Sequence, residues 1–414
     1  MLRKKQRTNP WRVLVLAVLV GAVIYVNRVV IPSTPPLFIP TPTATRSPES
    51  FVTDAENLLA DGKISLAIDA YFEAIKADPK NASNYITLAR LLIYNARYDA
   101  AIENTQNALL LNPNNSMAQA LRGWALGFKG EYLDAESALR RAIEIDPNNA
   151  AAYAYLAEVL ALRVQAGQGD IGTLDQAVEA SRTAMELNRN SIETLRARGV
   201  ILELTGNYTE AVTEFEAAIN LNPNIADLHL ALGRNYRSVG IYDKAIEEFN
   251  RANALNPRDP LPDTYIARTY LTVGELAKAI QYAEQAIKDD PSNPYMHGNL
   301  GTMFYRNNQY LQSITSFRLA IQGGLTEDGI KVEGLPLDYG RISEYYQLYG
   351  LALARSANCT DALQICNLLI NGVQNDEYAV YNAEEMVNIC RGFADNPPTP
   401  SPTVILLPTT TPAP

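Results

Sequence analysis

The chain repeats one pattern every 34 residues. Asp or Asn followed by Pro closes the pattern six times, at Pro79, Pro113, Pro147, Pro223, Pro257 and Pro291. Spacings of 34 residues separate the first three prolines and, again, the last three, and the interval of 76 between the two sets is two periods plus eight. A fixed period of this length indicates stacked supersecondary units rather than several independent domains.

Each period contains two predicted helices. Small residues recur at the points where the two helices must approach closely, and aromatic residues fill the space beside them. The small position of the first helix is filled by Ala89, Gly123, Ala157, Gly199, Gly233, Ala267 and Gly301. The second helix carries an early alanine, at Ala67, Ala101, Ala135, Ala177, Ala211, Ala245 and Ala279. The pattern therefore predicts paired, closely packed helices.

This pattern resembles the tetratricopeptide repeat (TPR) family over about eight units between residues 50 and 322. The chain departs from the family pattern at Arg122 and Arg198, and residues 150–191 carry an insertion. The resemblance implies an all-α fold, a right-handed α-α superhelix whose first helices line a concave groove for peptides or helices of partner proteins. It implies no catalytic residues and no cofactor.

Beyond residue 322 the period breaks. Residues 323–340 are expected to form an irregular loop or a small hairpin. Residues 341–394 are expected to form one more helical repeat and a capping helix, which would close the stack. The expected fold is thus a TPR solenoid of about eight repeats with a C-terminal capping set.

The N-terminus carries a candidate transmembrane helix at residues 13–31. Its 19 residues, at about 1.5 Å each, match a hydrocarbon core of about 30 Å. Basic residues without an acid fill segment 1–12, so the positive-inside rule predicts a cytoplasmic N-terminus and an extracytoplasmic array. A cleaved signal peptide is the alternative, but no A-x-A-like site follows the apolar run.

Two Pro/Thr-rich segments flank the array. Of the 24 prolines, 13 lie in the linker at 32–49 and the tail at 395–414. Such composition cannot form a core, and we expect a semi-rigid spacer and a disordered tail. Val404 to Leu407 is an apolar exception that could dock onto the array or a partner.

The composition excludes several function classes. A formal net charge of −10 argues against binding of nucleic acid, and the exported part alone carries −16 because the first 31 residues hold six basic side chains. Two His and three Cys leave little material for a metal site. Gly167 to Gly172 fits a dinucleotide fingerprint, but it follows a predicted helix, so we interpret it as a loop.

Function is expected in the groove, where the candidate residues are Arg90, Trp124, Arg196, Arg234, Arg237, Tyr265, Arg268 and Tyr305. Our hypothesis is that Arg234 and Arg268, with Tyr265 and Trp124, bind an acidic partner or a C-terminus. The alternative is that the arginines pair with Glu158, Glu193 or Asp227 inside the groove.

The cysteines lie in the C-terminal part. Cys359 begins one predicted helix and Cys390 ends the next, antiparallel one, so a disulfide between them is predicted for an exported domain. Free thiols or another pairing remain the alternative. Cys366 is expected to face the core.

These observations predict a membrane-anchored extracytoplasmic scaffold that binds unidentified proteins or peptides. A solenoid that binds a glycan, a cell-wall component or another small ligand is the alternative, favoured if Tyr295, Tyr305 and Tyr310 surround one polar pocket. A weaker alternative is an accessory subunit of an enzyme.

The intact mass of the mature protein tests the anchor. We expect the full mass of the chain, because no cleavage site follows the apolar run. A mature protein lacking roughly its first 30 residues would instead identify a cleaved signal peptide.

Overall fold

The computed structural model describes residues 9–30 and 46–395, which belong to two compact units, Met1–Ser47 and Pro48–Pro414. Predictions for residues 1–8, 31–45 and 396–414, including the Val404 to Leu407 segment, lie outside the described residues. In the first unit, helix α1 (Pro10–Tyr25) continues as a π-helical segment, Val26–Val30. The segment Pro10–Val29 of this helix has a mean hydropathy of 1.9. By length and composition, it is long and apolar enough to cross a membrane.

The second unit is built from consecutive antiparallel helix pairs, eight of them within the described residues before the period breaks. The pairs are α2 (Pro48–Ala60) and α3 (Ile64–Ala77); α4 (Ala82–Tyr94) and α5 (Tyr98–Leu111); α6 (Ser116–Phe128) and α7 (Tyr132–Ile145); α8 (Ala150–Gln165) and α9 (Thr173–Leu187); α10 (Ile192–Leu204) and α11 (Tyr208–Leu221); α12 (Ala226–Ser238) and α13 (Tyr242–Leu255); α14 (Pro260–Thr272) and α15 (Leu276–Asp289); α16 (Pro294–Arg306) and α17 (Tyr310–Gln322). They form the α-α superhelix that the repeat predicts.

Close approach at the small positions holds each pair together. A Cβ added to Gly199 would lie 2.7 Å from the Phe215 ring, and one added to Gly233 would lie 2.5 Å from the Phe249 ring. Both rings are fully buried. The glycine and the aromatic residue of a pair therefore occupy complementary space, as the sequence predicts.

The Asp/Asn-Pro turns end the second helices. The side chain of Asn222 accepts a hydrogen bond from Asn224 N at 2.9 Å, and Asp146 accepts one from Asn148 N at 3.0 Å. These short Asx turns give a partner to a backbone N–H of the turn that follows the helix. The ring of His229 donates through Nε2 to the carbonyl of Pro223 at 2.8 Å. This hydrogen bond connects the Asn222-Pro223 turn to α12, the helix that follows it.

The C-terminal end closes the stack. Strands β1 (Gly324–Leu325) and β2 (Lys331–Val332) pair antiparallel as a small hairpin. Helices α18 (Arg341–Arg355) and α19 (Cys359–Gly372) form a further pair, and α20 (Glu377–Asp395) packs against both. A disulfide joins Cys359 to Cys390 across a Cα–Cα distance of 5.6 Å, whereas Cys366 is buried with a free thiol.

The first repeat touches the turn between the fifth and sixth repeats. Asn224 Nδ2 donates to the carbonyls of Leu59 and Ala60 at 3.2 and 3.0 Å. At Gly62, a Cβ would come within 3.2 Å of the Asn224 side chain. The superhelix therefore returns upon itself after five repeats, and side chains from distant repeats meet on its inner face.

Two carboxyl groups, one buried and one half-buried, meet between α14 and α15. Asp263 is 1% exposed, accepts a hydrogen bond from Asn253 Nδ2 at 3.1 Å, and contacts Asp289. Burial, followed by the hydrogen bond and the repulsion from Asp289, raises the pKa of Asp263 to about 7. The folded protein therefore keeps this group protonated at pH values where the unfolded chain has already released its proton.

We predict that Asp263→Asn stabilises the array at neutral pH. Because the folded pKa of Asp263 is raised, the wild-type protein loses stability as pH rises above about 4, and the amide removes this loss, a gain on the order of 1 kcal/mol or more. Thermal unfolding should show the gain at neutral pH and little at about pH 4. Exposed Glu284 provides the control, Glu284→Gln, and an equal response of both variants would contradict the raised pKa of Asp263.

Candidate functional site

Side chains of the first helices fill the inner face of repeats two to five. Trp124 is 1% exposed and donates from Nε1 to Glu158 Oε2 at 2.8 Å. Its ring stacks on Tyr155 at 4.3 Å and meets the edge of Tyr94 at 5.7 Å. This part of the groove is a packed interior rather than an open surface.

Arg196 is the cation of this interior. Its Nη2 lies 2.8 Å from Asp227 and 3.4 Å from Glu158, and its guanidinium lies 4.8 Å from the Trp124 ring centroid. Burial disfavours the charge, but the two carboxylates outweigh it and raise the pKa of Arg196. Burial raises the pKa of Glu158 to about 7, while Arg196 and the Trp124 N–H oppose that shift.

Two further arginines of the predicted groove are also paired. Arg90 lies 3.6 Å from Glu193, and Arg234 makes a two-pronged hydrogen bond to Glu203 at 2.9 and 3.0 Å. Arg90 and Arg196 thus pair with carboxylates that the alternative drawn from the sequence names. The partner of Arg234 is Glu203, which that alternative does not name. Trp124 and Arg196 are buried, so a partner could reach them only by disrupting this packing.

A cavity of about 790 Å³ lies beside this interior, between the first three repeats and repeats five to seven. Its walls include Tyr94, Tyr98, Phe128 and the ion pair of Arg196 with Asp227. Tyr98 and Phe128 stack at 5.1 Å. Charged residues of both signs line it in equal number, so the cavity presents no net charge to a ligand; they are Arg97, Arg196, Arg258, Asp69, Asp227 and Asp259.

A smaller recess of about 200 Å³ lies on the inner face of the C-terminal repeats. Arg237 of α12, Arg268 of α14 and Arg341 of α18 line it, together with Glu344. Arg341 lies 3.6 Å from Glu344. Among the residues that the structure describes, neither Arg237 nor Arg268 has a carboxylate within 4.0 Å.

The other two guanidiniums act on Arg268. Burial, and then the positive charges of Arg341 and Arg237, lower the pKa of Arg268. Arg268 lies 5.9 Å from the Tyr265 ring centroid, and Tyr265 in turn stacks on Phe249 at 5.3 Å. The recess therefore concentrates positive charge that no described side chain fully balances.

The remaining tyrosines do not form one site. Tyr305 is buried beside Tyr310, and Arg355 lies over both rings, at 5.4 and 5.7 Å. Tyr295 lies at the other end of α16 and contacts Tyr345. The single tyrosine-lined polar pocket that would favour a glycan or another small ligand does not form from these three residues.

Sequence reasoning missed Arg341. It follows the loop at 323–340, where the 34-residue period has ended, so the position of a groove residue could not be counted from the repeat. Its one signal is its place at the start of the helix pair that resumes after the loop.

Profiles of the tetratricopeptide repeat match residues 58–125, 118–149, 192–225, 226–259 and 266–326. The chain belongs to the tetratricopeptide repeat family. Among curated proteins no sequence matches it.

Solved structures with a similar fold include PilF of Pseudomonas aeruginosa, which is 22% identical. The match covers 50% of this chain and 90% of the PilF chain, with a TM-score of 0.40. A TPR protein of Thermus thermophilus is 23% identical and covers 46% and 99%, with a TM-score of 0.40. PilW, a type IV pilus biogenesis factor, is 18% identical and covers 49% and 91%, with a TM-score of 0.43. None is similar enough for its residues or partners to be transferred to this TPR protein.

We predict that Arg196→Ala destabilises the array by about 3–5 kcal/mol, because it leaves buried Glu158 without its cation. Arg182→Ala, at an ion pair whose arginine is 63% exposed, should cost no more than about 1 kcal/mol. Urea unfolding followed by circular dichroism measures both. Equal losses would show that the buried network contributes no more than a surface pair.

Proposed function

We propose that this TPR protein is a membrane-anchored scaffold that holds a protein partner outside the cytoplasm. The partner binds on the inner face of the C-terminal repeats, formed by α12, α14, α16 and α18. The anchor is the segment at residues 13–31. Binding requires a preformed helical surface and no chemical step.

The contrast between the two halves of the inner face supports this site. In repeats two to five, the inner face is occupied by its own tryptophan, tyrosines and ion pairs, with Trp124 1% exposed. Around Arg237, Arg268 and Arg341 the face is open and its positive charge is only partly balanced. Uncompensated, half-buried guanidiniums are typical of surfaces that gain their counter-charge from a partner.

The sequence supports the proposed topology. The apolar helix Pro10–Val29 has none of its residues buried, and the segment before it is basic without an acid. The net charge of residues 32–414 is −16, so anionic lipid head groups would repel the exported array.

Photo-crosslinking in intact cells tests the site. A photoreactive phenylalanine at Thr272, which lines the recess, should crosslink a protein partner. The double variant Arg237→Gln, Arg268→Gln should abolish that crosslink, because it removes the charges on which docking depends.

The matched control places the same photoreactive residue at Thr213, an exposed position of the second helix α11. Crosslinks that are equal at both positions, or that survive the double variant, would refute the groove as the binding face. A crosslinked partner that is confined to the cytoplasm would refute the topology.

A further inference from the structure

The recess between α12, α14, α16 and α18 has the charge of an anion site. The recess is lined by three guanidiniums and one carboxylate, which belong to Arg237, Arg268, Arg341 and Glu344. Two of the three positive charges are therefore unbalanced. We propose that these three arginines bind a doubly charged oxyanion, the terminal phosphate of a phosphate monoester. The inference deepens the proposed function, because it names the group that the open half of the inner face recognises.

The number of guanidiniums favours phosphate over a carboxylate. A phosphate monoester carries a charge of about −1.5 to −2 near neutral pH and presents three acceptor oxygens. A single carboxylate carries one negative charge, so it would leave one of the two unbalanced positive charges without a counter-charge. Arginine binds phosphate oxygens through two parallel hydrogen bonds, and three such forks can share the oxygens of one dianion.

The size of the recess fits one such group. A volume of about 200 Å³ corresponds to about seven waters at about 30 Å³ each. That space accommodates an oxyanion and the carbon that carries it, but not a folded segment. The remainder of the ligand would therefore lie along the open groove.

Of two neutral residues that line the recess, Asn299 adds a hydrogen-bond donor and Thr302 does not. Asn299 accepts a hydrogen bond from the Tyr345 hydroxyl through Oδ1 at 2.9 Å, which leaves its Nδ2 group as a further donor. The Thr302 hydroxyl donates to Gly298 O at 3.0 Å and keeps acceptor capacity only. Arg268 is held by its contact with the Tyr265 ring, so one fork of the site is already oriented.

Isothermal titration of the full chain in a non-ionic detergent tests the proposal. The probes are glycerol 2-phosphate, sulfate and acetate, in a buffer without phosphate. We expect saturable one-to-one binding of the first two and binding of acetate weaker by about tenfold or more. Acetate that binds as tightly as glycerol 2-phosphate would overturn the assignment to a dianion.

The pH dependence provides a sharper test. The second pKa of a phosphate monoester is near 6, so its affinity should fall about tenfold from about pH 7.5 to about pH 5 as the dianion disappears. Sulfate remains a dianion, and protonation of Glu344, the carboxylate in the recess, would affect both ligands alike. An equal loss for sulfate and phosphate would contradict recognition of the phosphate dianion.

The variants locate the site. Arg268→Gln should weaken both dianions about tenfold or more, whereas Arg268→Lys should restore part of the loss because it keeps the charge but not the fork. Arg182→Gln removes the same charge at an exposed ion pair on α9 and should leave binding unchanged. Phosphate binding that persists in Arg268→Gln, or that falls equally in Arg182→Gln, would overturn the site.

The two proposals fail separately. If no dianion binds but the Thr272 crosslink still requires Arg237 and Arg268, the scaffold stands and the phosphate assignment is wrong. If a dianion binds but no protein crosslinks, the site stands and the protein partner is wrong. A phosphoserine peptide compared with glycerol 2-phosphate then identifies the carrier, and tighter binding of either compound supports the site.

Discussion

The close approach of two helices at one small residue per repeat is the constraint on which this structure depends. Where Gly233 faces Phe249, a single added carbon would clash at 2.5 Å. That contact sets the distance within a pair, and the distance within a pair sets how the next pair stacks. In a solenoid each repeat contacts mainly its neighbours, so a constant local packing distance is propagated along the whole array.

The accumulated rotation brings remote repeats together and fills half of the groove. Asn224 bonds to Leu59 and Ala60, more than 160 residues earlier in the chain. Inside this closed turn, Arg196 lies between Glu158, Asp227 and the Trp124 ring. Buried ion pairs add little net stability over apolar packing, but breaking one is costly, so this network fixes the arrangement of the repeats.

The unfilled half of the groove differs in its charge balance. Arg234 finds Glu203 on the preceding repeat, whereas Arg237, one turn later on the same helix, faces other arginines. The mutual repulsion of Arg237, Arg268 and Arg341 costs stability in the isolated protein. Retaining such a cluster in an otherwise acidic protein is consistent with a site that acquires its counter-charge from a ligand.

The sequence by itself determined the repeat, the helix pairs, the turns and the family, because these depend on contacts between residues less than 34 positions apart. It also pointed to Arg237 and Arg268 as groove residues. Only the tertiary structure decided that Trp124 and Arg196 are buried, that Arg234 is paired, and that Arg341 joins the recess. Those outcomes depend on small rotations summed over several repeats, and no local pattern of residues encodes such a sum.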